Sequence, residues 1–159
     1  MYKTLSLAIV SSMLIGCSST TALKYFDKSE VEAKAMQYTK KADVIINKEQ
    51  KVLLWGTYLN NTDIKEFESK DEVFVTSIYF VDSATQDINE NNYFFKLNEQ
   101  KPKSIEELSI NDERFKDILS KNTWGKYYLV KFEKVKNSYN LTLSLNDKNS
   151  NSAKLEFEK

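Results

Sequence analysis

EVFVTSIYFV, residues 72–81, decides how the rest of this chain reads. Phe74, Ile78 and Phe80 lie on one parity, and Val73, Val75, Tyr79 and Val81 on the other. A run apolar on both parities and rich in β-branched and aromatic side chains reads as a central strand covered on both faces. The neighbouring segments keep a period of two. Val44–Ile46 and Lys51–Asn60 flank Asn47-Lys48-Glu49-Gln50, which suits a hairpin loop. Val52, Leu54 and Tyr58 share one face of the second segment, with Leu53, Trp55 and Leu59 on the other. Further strands are expected at Asn92–Leu97, Lys126–Val135, Tyr139–Leu145 and Ala153–Phe157. The last two alternate most cleanly: Tyr139, Leu141, Leu143 and Leu145 oppose Asn140, Thr142 and Ser144, while Ala153, Leu155 and Phe157 oppose Lys154, Glu156 and Glu158. They form a hairpin through the polar stretch 146–152.

Two helices interrupt this pattern. Ser29 and Glu32 have the spacing of a capping box, which predicts a short helix from Glu30 to about Tyr38. Ser104 and Glu107 repeat the spacing after Pro102. Asn111 then resembles an N-cap, followed by Asp112 and Glu113 at the positive end of a helix dipole. Ile110 and Phe115 occupy the positions of a hydrophobic staple, and Phe115, Ile118 and Leu119 continue at helical spacing. A helical insert near 104–121 is therefore expected. About seven strands separated by polar loops predict a mainly β fold, an antiparallel sandwich of immunoglobulin-like plan with a short N-terminal helix and this insert. The competing arrangement is α+β, one curved antiparallel sheet with the helices on one side.

Composition bounds the chemistry. The 159 residues are 41% hydrophobic, 13% aromatic and 29% charged, a globular balance. Formal net charge is +0, so no basic field draws in nucleic acid or anionic headgroups. The absence of histidine removes the commonest general base and transition-metal ligand. Three glycines cannot build a phosphate-cradling loop. Asp82, Asp87 and Glu90 sit in an oxygen-rich loop that lacks the spacing of a calcium-binding EF-hand and reads as a solvated turn. Trp55, Tyr58, Trp124, Tyr127 and Tyr128 could form an exposed platform, but strands use such residues to pack, and core membership is the expectation. No catalytic residue and no metal site is assigned.

The leader carries the clearest functional information. One basic residue, Lys3, precedes the 11-residue apolar stretch Leu5–Ile15, against the roughly 20 residues a helix needs to cross a bilayer. Leu14-Ile15-Gly16-Cys17 follows, with the chain's single cysteine. This layout is that of a secretory signal, and Leu-Ile-Gly-Cys resembles the lipobox of bacterial lipoproteins. The resemblance implies cleavage between Gly16 and Cys17, acylation of Cys17, and no cofactor beyond that covalent lipid. Ser18, rather than aspartate, implies sorting to the outer membrane in double-membrane bacteria. Each buried CH₂ contributes about 0.8 kcal/mol, so two or three acyl chains anchor without further help from the protein. Removing the first 16 of 159 residues leaves 143: a lipidated tether over 17–28 and one globular domain over 29–159.

The expected function is a lipid-anchored envelope module that binds another envelope protein without catalysis. Its binding surface is expected on the polar side of the insert: Glu106, Glu107, Asp112, Glu113, Lys116 and Asp117. The alternatives are a glycan- or cell-wall-directed hydrolase using paired carboxylates, and a surface adhesin.

Overall fold

A computed structural model describes residues 29–62, 65, 69–119 and 122–159. The leader, Gly16, Cys17 and the tether lie outside the described residues. One helix, α1 (Glu30–Gln37), precedes eight strands: β1 (Thr39–Ile46), β2 (Glu49–Tyr58), β3 (Glu72–Phe80), β4 (Phe94–Leu97), β5 (Ser104–Leu108), β6 (Lys126–Phe132), β7 (Asn140–Asn146) and β8 (Ser152–Glu158). All pairings are antiparallel, in a five-stranded sheet of order β1-β2-β3-β6-β5 and a three-stranded sheet of order β4-β7-β8. The expected sandwich is present, and the single curved sheet is not. Taken as seven strands, β2 to β8 follow the order of an immunoglobulin constant-type sandwich: first, second, fifth and fourth in one sheet, third, sixth and seventh in the other. β1 is an added strand outside the first, and it lies beside β8, closing that flank.

The core between the sheets comes from the parity of each strand. Val52, Leu54 and Tyr58 of β2, Phe74, Ile78 and Phe80 of β3, and Tyr128, Val130 and Phe132 of β6 face Phe95 and Leu97, the β7 leucines, and Ala153, Leu155 and Phe157. Aromatic contacts join the sheets: Phe157 of the small sheet meets Phe74 at 5.3 Å and Tyr58 at 6.0 Å between centroids, while Tyr58 and Phe74 stack on each other at 4.9 Å within the large one. Gly56 sits among them because a Cβ there would come within 2.6 Å of Leu155 Cδ1. The opposite parity of the large sheet builds a second cluster, with Val73, Val75, Tyr127 and Leu129 packed with Leu59, Leu108, Phe115 and Leu119. The stretch 72–81 is thus apolar on both parities because its sheet is covered on both sides.

Several local expectations need correction. The β1–β2 connection is a two-residue turn at Asn47 and Lys48, with φ of 53° and 68°, the positive pair that matches strand twist; Glu49 and Gln50 already belong to β2. No helix forms at 104–108. Ser104–Leu108 is edge strand β5, and all five residues pair with β6. Sheet pairing satisfies more of its backbone than a first helical turn would, which overrides the local capping pattern. Residues 109–119 are consecutive turns rather than a helix. Phe115 N–H bonds to Asp112 O and Ile118 N–H to Phe115 O, three residues back, and the single four-residue bond, Leu119 N–H to Phe115 O, is not continued into a ladder among the described residues. The Asp112 carboxylate takes the Arg114 N–H at 3.0 Å, a local bond that competes with helix formation. Tyr139, expected to point with the β7 leucines, precedes the strand and is 64% exposed. Trp124 is 73% exposed, while Tyr58, Tyr127 and Tyr128 are buried and Trp55 is half-buried. Helix α1 forms as expected, with Ser29 Oγ accepting the Glu32 N–H at 3.1 Å. No helix among the described residues is long and apolar enough to cross a membrane.

Candidate functional site

β5 and the turns after it place the six residues expected to meet a partner. Phe115 and Leu119 are buried against the outer face of the large sheet, with Ile118 packed beside them. This turns the polar side chains of the segment outward. Glu106, Glu107, Glu113, Lys116 and Asp117 are exposed, and Asp112 is half-buried. The six do not act as one acidic field. Arg114 Nη2 reaches Glu106 Oε1 at 2.6 Å and Asp112 Oδ2 at 2.7 Å. Lys126 Nζ holds Glu107 Oε2 at 2.9 Å, and Lys116 meets Glu113 at 3.4 Å. The Arg114 guanidinium keeps the Asp112 carboxyl below its usual range, and Glu107 raises Lys126. Asp117 has no ion pair among the described residues. The structure therefore brings Glu106 together with Asp112, Glu113, Lys116 and Asp117 on the turn-segment side of the large sheet, sends Glu107 to the opposite face of β5 beside Lys126, and neutralises most of the charge locally.

Carboxylates elsewhere are used structurally. Asp87 Oδ1 accepts the N–H groups of Asn89 at 2.8 Å and Glu90 at 3.1 Å, which pins the loop after β3. These bonds, with the one from Glu90 foremost, hold Asp87 below its usual range. No group of three carboxylates among the described residues could hold a metal ion. Glu156 and Glu158 border a groove of about 1170 Å³ at the β1–β8 flank. They rise from alternate positions on one face of a single strand, rather than facing each other across a bond to be cleaved.

Two polar features are not legible as sites in the sequence. The first is Glu72, 0% exposed at the start of β3. Its Oε2 accepts the Tyr58 hydroxyl at 2.6 Å; its Oε1 accepts the Val135 N–H at 3.1 Å and meets Lys159 Nζ at 2.8 Å. The same ammonium donates to Val135 O. Burial pushes the Glu72 carboxyl up, but the bonds from Lys159, Tyr58 and Val135 outweigh it and hold the group below its usual range. Burial, then the neighbouring carboxylate, drives the Tyr58 hydroxyl far up. Glu72 shares the inward parity of Phe74, the one available sequence signal; nothing marks Lys159 as its partner.

The second feature is Ser77 on the outer face of the same strand. It is 6% exposed, and its Oγ is buried without a hydrogen-bond partner among the described residues. It borders a cleft of about 300 Å³ between α1 and the turn segment. No protein-family model, curated protein or solved structure matches this chain.

Proposed function

We propose that this protein is a lipid-anchored module of the bacterial envelope that acts by binding another envelope protein. The observation that carries the reading is Leu14-Ile15-Gly16-Cys17 at the end of a short apolar leader. Acylation of Cys17 tethers the sandwich at a membrane surface, and the outer membrane is the destination that Ser18 favours. Docking falls to the 104–119 surface. Phe115, Ile118 and Leu119 are turned onto the sheet, so what the turn segment offers a partner is polar. It presents the exposed Glu113 and Asp117, with the ion-paired Glu106, Asp112 and Lys116 beside them; Glu107 and the 42% exposed Ile105 lie on the opposite face of β5. Loops held on a rigid scaffold commonly carry recognition, and exposed charges set association rate and orientation more than affinity.

The test is crosslinking in native membranes, followed by capture of the wild-type protein and of the double variant Glu113→Lys, Asp117→Lys. Both changes spare Phe115, Ile118 and Leu119, so the variant stays folded. Loss of the crosslinked partner supports docking at this surface. Retention at both low and moderate salt shows that the partner binds elsewhere.

A further inference from the structure

The large sheet has β1 beside β8 on one flank and ends at β5 on the other. Hydrogen-bond direction along its strands shows what that open edge carries. Val73 N–H goes to Asn60 Oδ1 at 2.9 Å and Val81 N–H to Lys51 O at 3.0 Å. The odd residues of β3 therefore turn their backbone groups to β2, and the even ones turn theirs to β6. Carried through the registers, Tyr127, Leu129 and Lys131 of β6 turn to β5, where they meet Leu108, Glu106 and Ser104. Ile105 and Glu107 are left with N–H and C=O groups aimed away from the sheet. Neither has a backbone hydrogen bond on that side among the described residues. Residues 104–107 are all exposed.

Four free groups in line call for an extended chain, because another strand matches their spacing and direction. Side chains say which chain. A second copy fits poorly. Antiparallel self-pairing that uses all four groups is centred on Glu106 and sets this carboxylate against its own copy, in the close type of pair. Centring on Glu107 opposes that carboxylate to itself. Centring on Ile105 brings in Lys103, whose N–H is already taken by Lys131 O at 2.8 Å. A different chain meets no such conflict. The five carboxylates of 104–119 pair with three cations, Arg114, Lys116 and Lys126, and Arg114 is shared between Glu106 and Asp112. This rim stays net negative. On the other face of β5, Ile105 is 42% exposed, although its β6 partner Val130 is fully buried. Its outer side lacks an apolar neighbour.

We propose that β5 takes an added strand from another protein, an extended segment that is basic opposite Glu106 and apolar opposite Ile105. The backbone of that segment pairs with the outward groups of Ile105 and Glu107. Its alternate side chains then meet the negative rim on one face and cover Ile105 on the other. This inference deepens the docking reading and rests on it, since it gives the form in which the partner binds.

The experiment follows amide hydrogen exchange of the full-length chain with three capped hexapeptides at low millimolar concentration. One alternates valine and lysine, one alternates valine and glutamate, and the third is the first N-methylated at every residue. In the free chain the amides of residues 105 and 107 should exchange quickly, and those of 106 and 108 slowly. The valine–lysine peptide is expected to slow 105 and 107. The glutamate peptide should bind several-fold more weakly, and the N-methylated one should give no protection. Ile105→Pro removes an N–H that faces away from β6, so the thermal midpoint holds while affinity for the basic peptide falls about tenfold. The N-methylated arm requires no change to the protein. The proposal is overturned if the basic peptide leaves both amides unprotected, if either other peptide binds as well, or if folded Ile105→Pro binds like the wild type. A concentration-dependent dimer in sedimentation equilibrium that Ile105→Pro abolishes also overturns it, because a second copy is then the occupant. Crosslinked capture in native membranes separates this inference from the docking reading. Loss of the partner from Glu113→Lys, Asp117→Lys but not from Ile105→Pro overturns the added strand alone, and retention by both overturns both. Loss from Ile105→Pro agrees with strand addition.

Discussion

Lys159 reaches back to a carboxylate that the core would otherwise bury without a countercharge, so Lys159→Met is informative far beyond the surface it changes. Removing one partner of a buried ion pair costs about 3–5 kcal/mol, because the other charge stays desolvated. The pH dependence identifies the cause. In the wild type the folded Glu72 carboxyl titrates below its ordinary value of 4.5. Its stabilisation is therefore fully present above that value and is lost as pH falls through the lower folded one. Without the ammonium, burial dominates and raises the folded pKa, so the variant recovers as Glu72 takes up a proton. Urea denaturation at neutral pH and near pH 4 should show the gap between variant and wild type narrowing in acid. A gap of constant size would mean that the lysine stem, and not its charge, matters.

At the scale of elements, β7 and the 104–119 segment show opposite relations between pattern and structure. In β7 the alternation holds from Asn140 to Leu143: Leu141, Leu143 and Leu145 are buried, Asn140 and Thr142 lie outward, and Ser144, on the outward parity, is buried at 5% exposure. Leu143→Asp places a charge in the sealed layer between the sheets, and that cost exceeds the 5–15 kcal/mol that typically holds a domain together. Thr142→Asp should be tolerated, since its structural bond, from the N–H to Asn98 Oδ1 at 2.7 Å, belongs to the backbone. Circular dichroism melts of the two variants check this, and similar midpoints would place the strand in the other register. In 104–119 the capping residues and apolar spacing point to a helix, yet the first five residues pair with β6 and the rest lie as turns across the sheet. Its apolar positions, Phe115, Ile118 and Leu119, do bury together as the pattern implied. Only the backbone path between them differs.

For the whole molecule, the five-stranded sheet has a protein layer on each side: the small sheet on one, and α1 with the turn segment on the other. The turn segment is therefore a structural cover as well as a candidate docking surface. The relation of this body to a membrane turns on Cys17, outside the described residues. Cys17→Ala should abolish labelling by radioactive fatty acid and leave a precursor of higher mass on denaturing gels. Processing and membrane attachment that survive the change would refute the lipoprotein reading.

Period-two alternation in β2, β7 and β8, and the doubly apolar stretch of β3, determined the strands and the mainly β class directly from sequence, because a strand's side chains alternate by covalent geometry and the apolar ones must be buried. A different local signal, the capping spacing of Ser29 and Glu32, made α1 legible. Long-range pairing decided the rest. Ser104–Leu108 became a strand only because β6 offered it a ladder. Glu72 became tolerable only because Tyr58, Val135 and Lys159, distant in sequence, converge on its two oxygens. Ser77 came to lie between Trp55 and Tyr127 through the register of three strands. Local sequence specifies a preference for each segment, whereas a charge's partner depends on which segments become neighbours, and that is settled when the two sheets close on one core.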